Sequence, residues 1–179
     1  SLLLFAVSCR GPSKPVTRQW ATMGTFASVS VSADAADSLA DVASQALESF
    51  EQANQLLSTY IATSEISRIN SAAGGAPLAV SAVTMEMLVL ARHYSQISGG
   101  AFDIAVAPLM RLWGFRNGQP PTVLPASETV ETLLPLVDQR LIEQGGGSVR
   151  LPQPGMRIDL GGIAKGYAID SASQQFKTY

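Results

Sequence analysis

The stretch Ile158-Asp159-Leu160-Gly161-Gly162-Ile163-Ala164-Lys165-Gly166-Tyr167 decides how this chain is read. Its first residues predict a strand near 156–160 that runs into Gly161-Gly162. Beyond the glycines, Ile163, Tyr167, Ala172 and Phe176 recur at four- or five-residue steps, which is helical spacing. A strand, a glycine turn and a helix start together make an anion site. Glycine lets the backbone approach a phosphate closely, and the first helical turn offers free N–H groups at a positive dipole end. Lys165 falls in that turn and adds a point charge. Asp159, just before it, suits a ribose, a base or a cation. The pattern matches neither the P-loop nor the dinucleotide fingerprint. A tight structural turn with a surface-lying lysine accounts for the same residues.

Working outward, strands and helices alternate without a regular βαβ repeat, which favours α+β over a doubly wound sheet. Residues 18–32 predict a strand or hairpin around Met23-Gly24-Thr25. Residues 34–57 predict a helix whose apolar stripe is Leu39, Val42, Ala43, Ala46, Leu47, Phe50, Ala53 and Leu57. A short helical turn follows at 64–71, closed by Gly74-Gly75. The next helix spans 81–98, capped by Ser81, with Val83, Met87, Ala91, Tyr94 and Ile97 as its buried stripe and Gly99-Gly100 at its end. Residues 103–113 read as a further helix, and the Pro-bearing stretch 116–127 as a loop. A short helix at 128–134 precedes Pro135. Strands near 137–143 and 148–152 flank a turn at Gly145-Gly146-Gly147.

Composition narrows the function. The 179 residues are 46% hydrophobic and 15% charged, with twelve basic and fourteen acidic side chains. That argues against disorder, and it leaves no basic stripe for a nucleic-acid backbone. One cysteine, Cys9, and one histidine, His93, exclude an internal disulfide and a Cys/His zinc site. At the start, Leu2-Leu3-Leu4-Phe5-Ala6-Val7 is too short to span a bilayer but looks like the tail of a secretory segment. Ser8-Cys9 after it resembles a lipoprotein processing box, with residues 10–17 as tether. Residues 1–17 are therefore expected to be a leader remnant with a lipidated Cys9, and 18–179 the folded portion. A free cysteine in a frayed terminus is the plainer alternative.

Three further places carry candidate chemistry. Ser98-Gly99-Gly100-Ala101-Phe102-Asp103 exposes backbone after a helix, and reads equally as a glycine C-cap followed by an Asp N-cap. Leu57-Ser58-Thr59-Tyr60, with Ser64-Glu65-Ile66-Ser67-Arg68-Ile69-Asn70 behind it, puts an aromatic ring at a helix exit, where it can stack on a ligand; its serines serve equally as caps. Met23-Gly24-Thr25 sets a thioether at a bend, able to lie on a planar ring or simply to pack. His93 sits mid-helix, off the apolar stripe, and reads as a surface histidine before it reads as a base.

As an ordered set, these blocks resemble the ApbE family, the FAD:protein FMN transferases, which are bacterial flavin-trafficking lipoproteins. The residues that carry the resemblance are Met-Gly-Thr at 23–25, Ser-Thr-Tyr at 58–60 with the Ser64–Asn70 run, Gly-Gly-Ala-Phe-Asp-Ile-Ala-Val-Ala-Pro-Leu at 99–109 with Trp113-Gly114-Phe115, and the 158–170 block. It covers about residues 18–179 and about the N-terminal half of a typical member. The resemblance implies an α+β fold with a mixed antiparallel sheet and packed helices, related to the T-fold, whose C-terminal part lies beyond this sequence. It implies FAD as substrate, Mg²⁺ as cofactor, FMN transfer to a Thr or Ser hydroxyl of a target protein, and release of AMP. Carried over position by position, Met23, Tyr60, Ala101, Phe102, Asp103, Asp159 and Lys165 fall on FAD-contact positions, and Gly162 on one that offers a backbone carbonyl to Mg²⁺. The remaining metal ligands and the His base are expected beyond residue 179, so these residues alone are expected to turn over poorly or not at all. The resemblance also places the protein in the bacterial cell envelope, on the periplasmic face of the inner membrane. The competing reading is a flavin-binding or structural lipoprotein module that never catalyses.

Overall fold

The computed structural model describes residues 14–115 and 121–176. Cys9, its flanking apolar run and Pro120 lie outside the described residues.

The chain opens with an antiparallel hairpin, β1 (Val16–Thr22) and β2 (Thr25–Val31), in which Thr22 faces Thr25 across a two-residue loop. Both loop residues have positive φ, Met23 at 48° and Gly24 at 69°. Two-residue loops of this kind match the right-handed twist of the flanking strands. The hairpin lies on α1 (Leu39–Leu57), where Trp20 meets Phe50 edge-on at 6.1 Å. The helix expected from 34 starts later: Ala33–Ser38 is a 3₁₀ segment, kinked at Ala35. On α1 the buried face is Ala43, Ala46, Ser49, Phe50, Ala53 and Leu57, while Leu47 points to solvent.

Next comes α2 (Glu65–Ser71), whose first turn is capped by Ser64 accepting from the Ser67 N–H. Strand β3 (Leu78–Ala79) leads to α3 (Ala82–Ile97), capped as expected by Ser81, which accepts from the Thr84 N–H. The buried face of α3 is Thr84, Met87, Leu88 and Ala91. Tyr94 and Ile97, expected in the core, are exposed because the last turn of α3 borders an open hollow. A 3₁₀ turn at Ile104–Val106 runs into α4 (Ala107–Leu112), and α5 (Ser127–Leu133) follows. Strands β4 (Glu143–Gly145) and β5 (Ser148–Arg150) complete a small antiparallel sheet in the order β3-β5-β4.

Two expected strands are absent. Residues 139–141 form a 3₁₀ turn, because the Asp138 carboxylate accepts the Arg140 N–H and Asp103 accepts the Gln139 N–H. Those bonds curl the chain before β4 can start. Residues 156–160 join no ladder among the described residues. A side chain replaces the neighbouring strand there: Asn70, buried, accepts the Ile158 N–H at 2.7 Å and donates to the Ile158 carbonyl at 2.8 Å.

The last helix, α6 (Ala164–Phe176), packs along α1. Ala164, Ala168 and Ala172 are buried on one side, and Ala43, Ala46 and Ala53 on the other. Small residues on both strips let two helices approach closely. Gln175 ties them with a 2.9 Å bond to the buried Ser49 hydroxyl. The result is an α+β fold of helices around two small antiparallel sheets. Among the described residues, no helix is long and apolar enough to cross a membrane.

Candidate functional site

The glycine turn is built from the carboxylate outward. Asp159 is placed by its own N–H, which donates to the Ile104 carbonyl at 2.8 Å. Its side chain then accepts from the Gly161 N–H at 2.7 Å through Oδ1 and from the Thr59 hydroxyl at 3.0 Å through Oδ2. A methyl group on Gly161 would sit 2.9 Å from Oδ1, so the turn needs glycine there. The next N–H groups divide. Those of Ile163 and Ala164 both return to the Leu160 carbonyl. Among the described residues, no backbone acceptor takes the N–H of Gly162, Lys165 or Gly166, and no backbone N–H reaches the Gly162 carbonyl. The turn therefore presents open donors at the positive end of a thirteen-residue helix, with Lys165 exposed beside them.

Two hollows flank this turn. The first, about 610 Å³, brings together Met23 from the hairpin loop, Thr59 and Tyr60 from the exit of α1, Met110 of α4, and Asp159 with Lys165. Four of the residues singled out in the sequence thus share one cleft. Tyr60 is 71% exposed at the edge of this cleft. Met23 is the described non-glycine residue with positive φ. Holding a thioether in the left-handed region costs about 1–2 kcal/mol, a cost that clusters at functional positions.

The second hollow, about 830 Å³, lies on the other flank, between α3 and α6. Phe102 and Gly162 border it, with Tyr94, Ile97 and Tyr167 as aromatic and apolar wall and Glu86 and Asp170 at its edge. Phe102 packs against the turn: a methyl group on Gly162 would lie 3.1 Å from its ring. Tyr94 meets the same ring edge-on at 6.2 Å. Burial, aided by the Glu86 carboxylate, pushes the Tyr167 phenol above its usual range, so it stands as a neutral hydroxyl.

Asp103 and Ala101 are placed differently. Asp103 borders a third, polar hollow of about 590 Å³ with Arg92 and Arg140. Its carboxylate accepts the Ala105 N–H at 2.7 Å and the Gln139 N–H at 3.0 Å, a capping arrangement. Ala101 is exposed on the loop before it and borders none of these three hollows. His93 is exposed on α3, its ring 5.8 Å from that of Tyr94.

Mg²⁺ takes near-octahedral oxygen ligands. Among the described residues, no three His, Cys, Asp or Glu side chains gather to hold a metal. The carbonyls of Gly161 and Gly162 in the turn accept no backbone N–H among the described residues.

Three contributors were not singled out by reasoning from sequence: Thr59, Asn70 and Met110. Thr59 and Asn70 stood inside quoted motifs, but a side-chain partner 100 or 88 residues away leaves no local signal.

Comparison with known proteins agrees with this architecture. The ApbE family model matches residues 23–179. The chain is 31% identical over 175 residues to an FAD:protein FMN transferase of Vibrio cholerae, covering 95% of this chain and 51% of that protein. It is 34% identical over 131 residues to one from Klebsiella pneumoniae, covering 72% and 41%. Among solved structures, the flavin transferase ApbE from Vibrio cholerae superposes with a TM-score of 0.82 at 28% identity, over 93% of this chain and 54% of that one. The chain spans about half the length of the curated relatives it matches.

Proposed function

This chain belongs to the ApbE family, and on that premise we propose that the whole protein transfers FMN from FAD to a hydroxyl of a target protein. The observation that carries the proposal is the cleft at the glycine turn. There the N–H and ammonium of Lys165 share a cleft with Asp159, Met23 and Tyr60, and the open N–H groups of Gly162 and Gly166 stand on the adjoining flank of the same turn.

The chemistry follows from charge. In the proposed reaction a Thr or Ser oxygen of the target forms a bond to the flavin-side phosphorus of FAD. The bond from that phosphorus to the bridging oxygen breaks, AMP leaves, and the hydroxyl proton departs with it overall. Negative charge spreads over the phosphoryl oxygens as this happens, and preorganised donors stabilise it. In this chain the open N–H groups and Lys165 bind and orient the diphosphate. Tyr60 and Met23 offer flat, polarizable surface to a planar ring. Phe102 holds Gly162 in place from the other flank, and Ala101 and Asp103 set the loop that carries Phe102. The Gly162 carbonyl is the group here that would hold Mg²⁺, which when bound supplies further charge neutralisation at the phosphates.

A lipidated Cys9 anchoring the protein at the periplasmic face of the inner membrane belongs to the same proposal. Its support is the Leu2–Cys9 pattern.

The test is to incubate the whole protein, extended beyond residue 179 to the length of its relatives, with FAD, Mg²⁺ and a Thr-bearing acceptor peptide, and to weigh the peptide by mass spectrometry. A mass gain of one FMN with stoichiometric AMP is expected. FAD binding without any peptide labelling would instead establish a non-catalytic flavin module, and no binding at all would overturn both readings.

A further inference from the structure

Asp159 is held by more than the glycine turn needs. A carboxylate accepting the N–H two residues on is a complete local motif. Here the same carboxylate also accepts the Thr59 hydroxyl across 100 residues of sequence. Thr59 is 9% exposed and stands two residues beyond the end of α1. One residue before Asp159, the Asn70 carboxamide clamps both polar groups of the Ile158 peptide. Side chains from just beyond α1 and from α2 thus converge on the two residues that lead into the turn.

We propose that Thr59 is a positioning residue for flavin-diphosphate transfer: its hydroxyl parks the Asp159 carboxylate against the Gly161 N–H, with Asn70 fixing the peptide that carries it. This rests on the function proposed above. The physical need is clear from the charges. Asp159 borders the same cleft as Lys165, one face of the turn that carries the open amides. A carboxylate turned into that cleft would repel an incoming diphosphate and compete for its donors. Pinned by a donor on each oxygen, it instead keeps one fixed orientation at the cleft's edge and holds the turn in shape. Close packing enforces the arrangement, because only glycine at 161 leaves room for Oδ1 at its observed position.

The experiment uses the whole protein, at the length of its relatives, and compares Thr59→Val, which keeps shape but removes the hydroxyl, with Thr59→Ser, which keeps the hydroxyl. Three quantities are measured: the FMN transfer rate at saturating FAD, the FAD dissociation constant, and the melting temperature. Loss of one hydrogen bond to a charged group predicts a transfer rate lowered by about tenfold or more in Thr59→Val. Thr59→Ser stays within about threefold of wild type on the same reasoning; Thr59→Val melts lower by what the bond contributes, so transfer is read well below both melting temperatures. Should Thr59→Val fold poorly, Asn70→Asp keeps an acceptor for the Ile158 N–H and loses the donor. It is expected to slow transfer more than it weakens FAD binding. Transfer unimpaired in Thr59→Val, or in Asn70→Asp where that variant replaces it, overturns this proposal alone, as does Thr59→Ser impaired to the same degree as Thr59→Val. A wild-type chain that binds FAD but transfers nothing overturns the transferase reading and this proposal with it.

Discussion

Met23 shows how much one backbone angle can say. Its φ of 48° places it in the left-handed region, at the first central position of a loop that favours Asn, Asp or Gly. Asn at this position relieves the strain, so Met23→Asn is expected to stabilise the protein by about 0.5–1 kcal/mol. The same change removes the thioether from the cleft, so FAD affinity should fall while the melting temperature rises. Thermal melts and flavin-fluorescence titration on one preparation read both. A variant that melts higher and binds FAD undiminished would remove Met23 from the site. Gly162 tells a similar story by contact, since its bare Cα is what lets the Phe102 ring close on the turn.

At the level of elements, one carboxylate joins two helices. Glu65 lies in the first turn of α2, and it also accepts the Ser81 N–H at 3.0 Å and the Ser81 hydroxyl at 2.8 Å at the start of α3. Two positive helix ends therefore converge on it. Burial pushes its pKa up, but hydrogen bonds from Thr84 and Ser81 and the charge of Arg68 outweigh that and hold it below the usual value of about 4.5. A depressed folded pKa means that stability is present above about 4.5 and is lost as pH falls through the lower folded value. Glu65→Gln should melt below wild type at pH 7, and the gap should narrow as pH drops below about 4.5. Melts across that range check it, and a gap that is constant with pH would contradict the account. Elements of this kind were legible in the sequence, because caps and hydrophobic spacing are local signals: Ser64, Ser81 and the hairpin at Met23-Gly24 all sit where their residue types place them. The 156–160 strand was not legible. Its partner is the Asn70 side chain, and no periodicity reports a carboxamide standing in for a strand. Tyr94 and Ile97 fit the apolar stripe of α3 but border a hollow, since spacing alone does not distinguish a core face from a cleft wall.

Over the whole molecule, Met23, Tyr60, Asp159 and Lys165 gather on one flank of the turn and Phe102 and Gly162 on the other, while Asp103 borders a third hollow and Ala101 none of the three. Motif order along the chain made the family legible. The division of those motifs between a cleft of about 610 Å³ and another of about 830 Å³ was not, because it depends on how α3 and α6 are set against the turn. Ligand linkage tests the arrangement. FAD at a hundred times its dissociation constant should stabilise the full chain by about 2.7 kcal/mol. FMN at the same concentration should raise the melting temperature less, because it lacks the adenylate half. Equal shifts from FAD and FMN would show that only one flank takes part.

The turn with Phe102 behind it also works as a partition between two rooms. A guest small enough to sit in one room touches a single side of the wall, whereas one that crosses it is gripped from both. On the function proposed above, reach would become a criterion of selection in its own right, and a short metabolite sharing the same ring would be discriminated against by its length rather than by a clash.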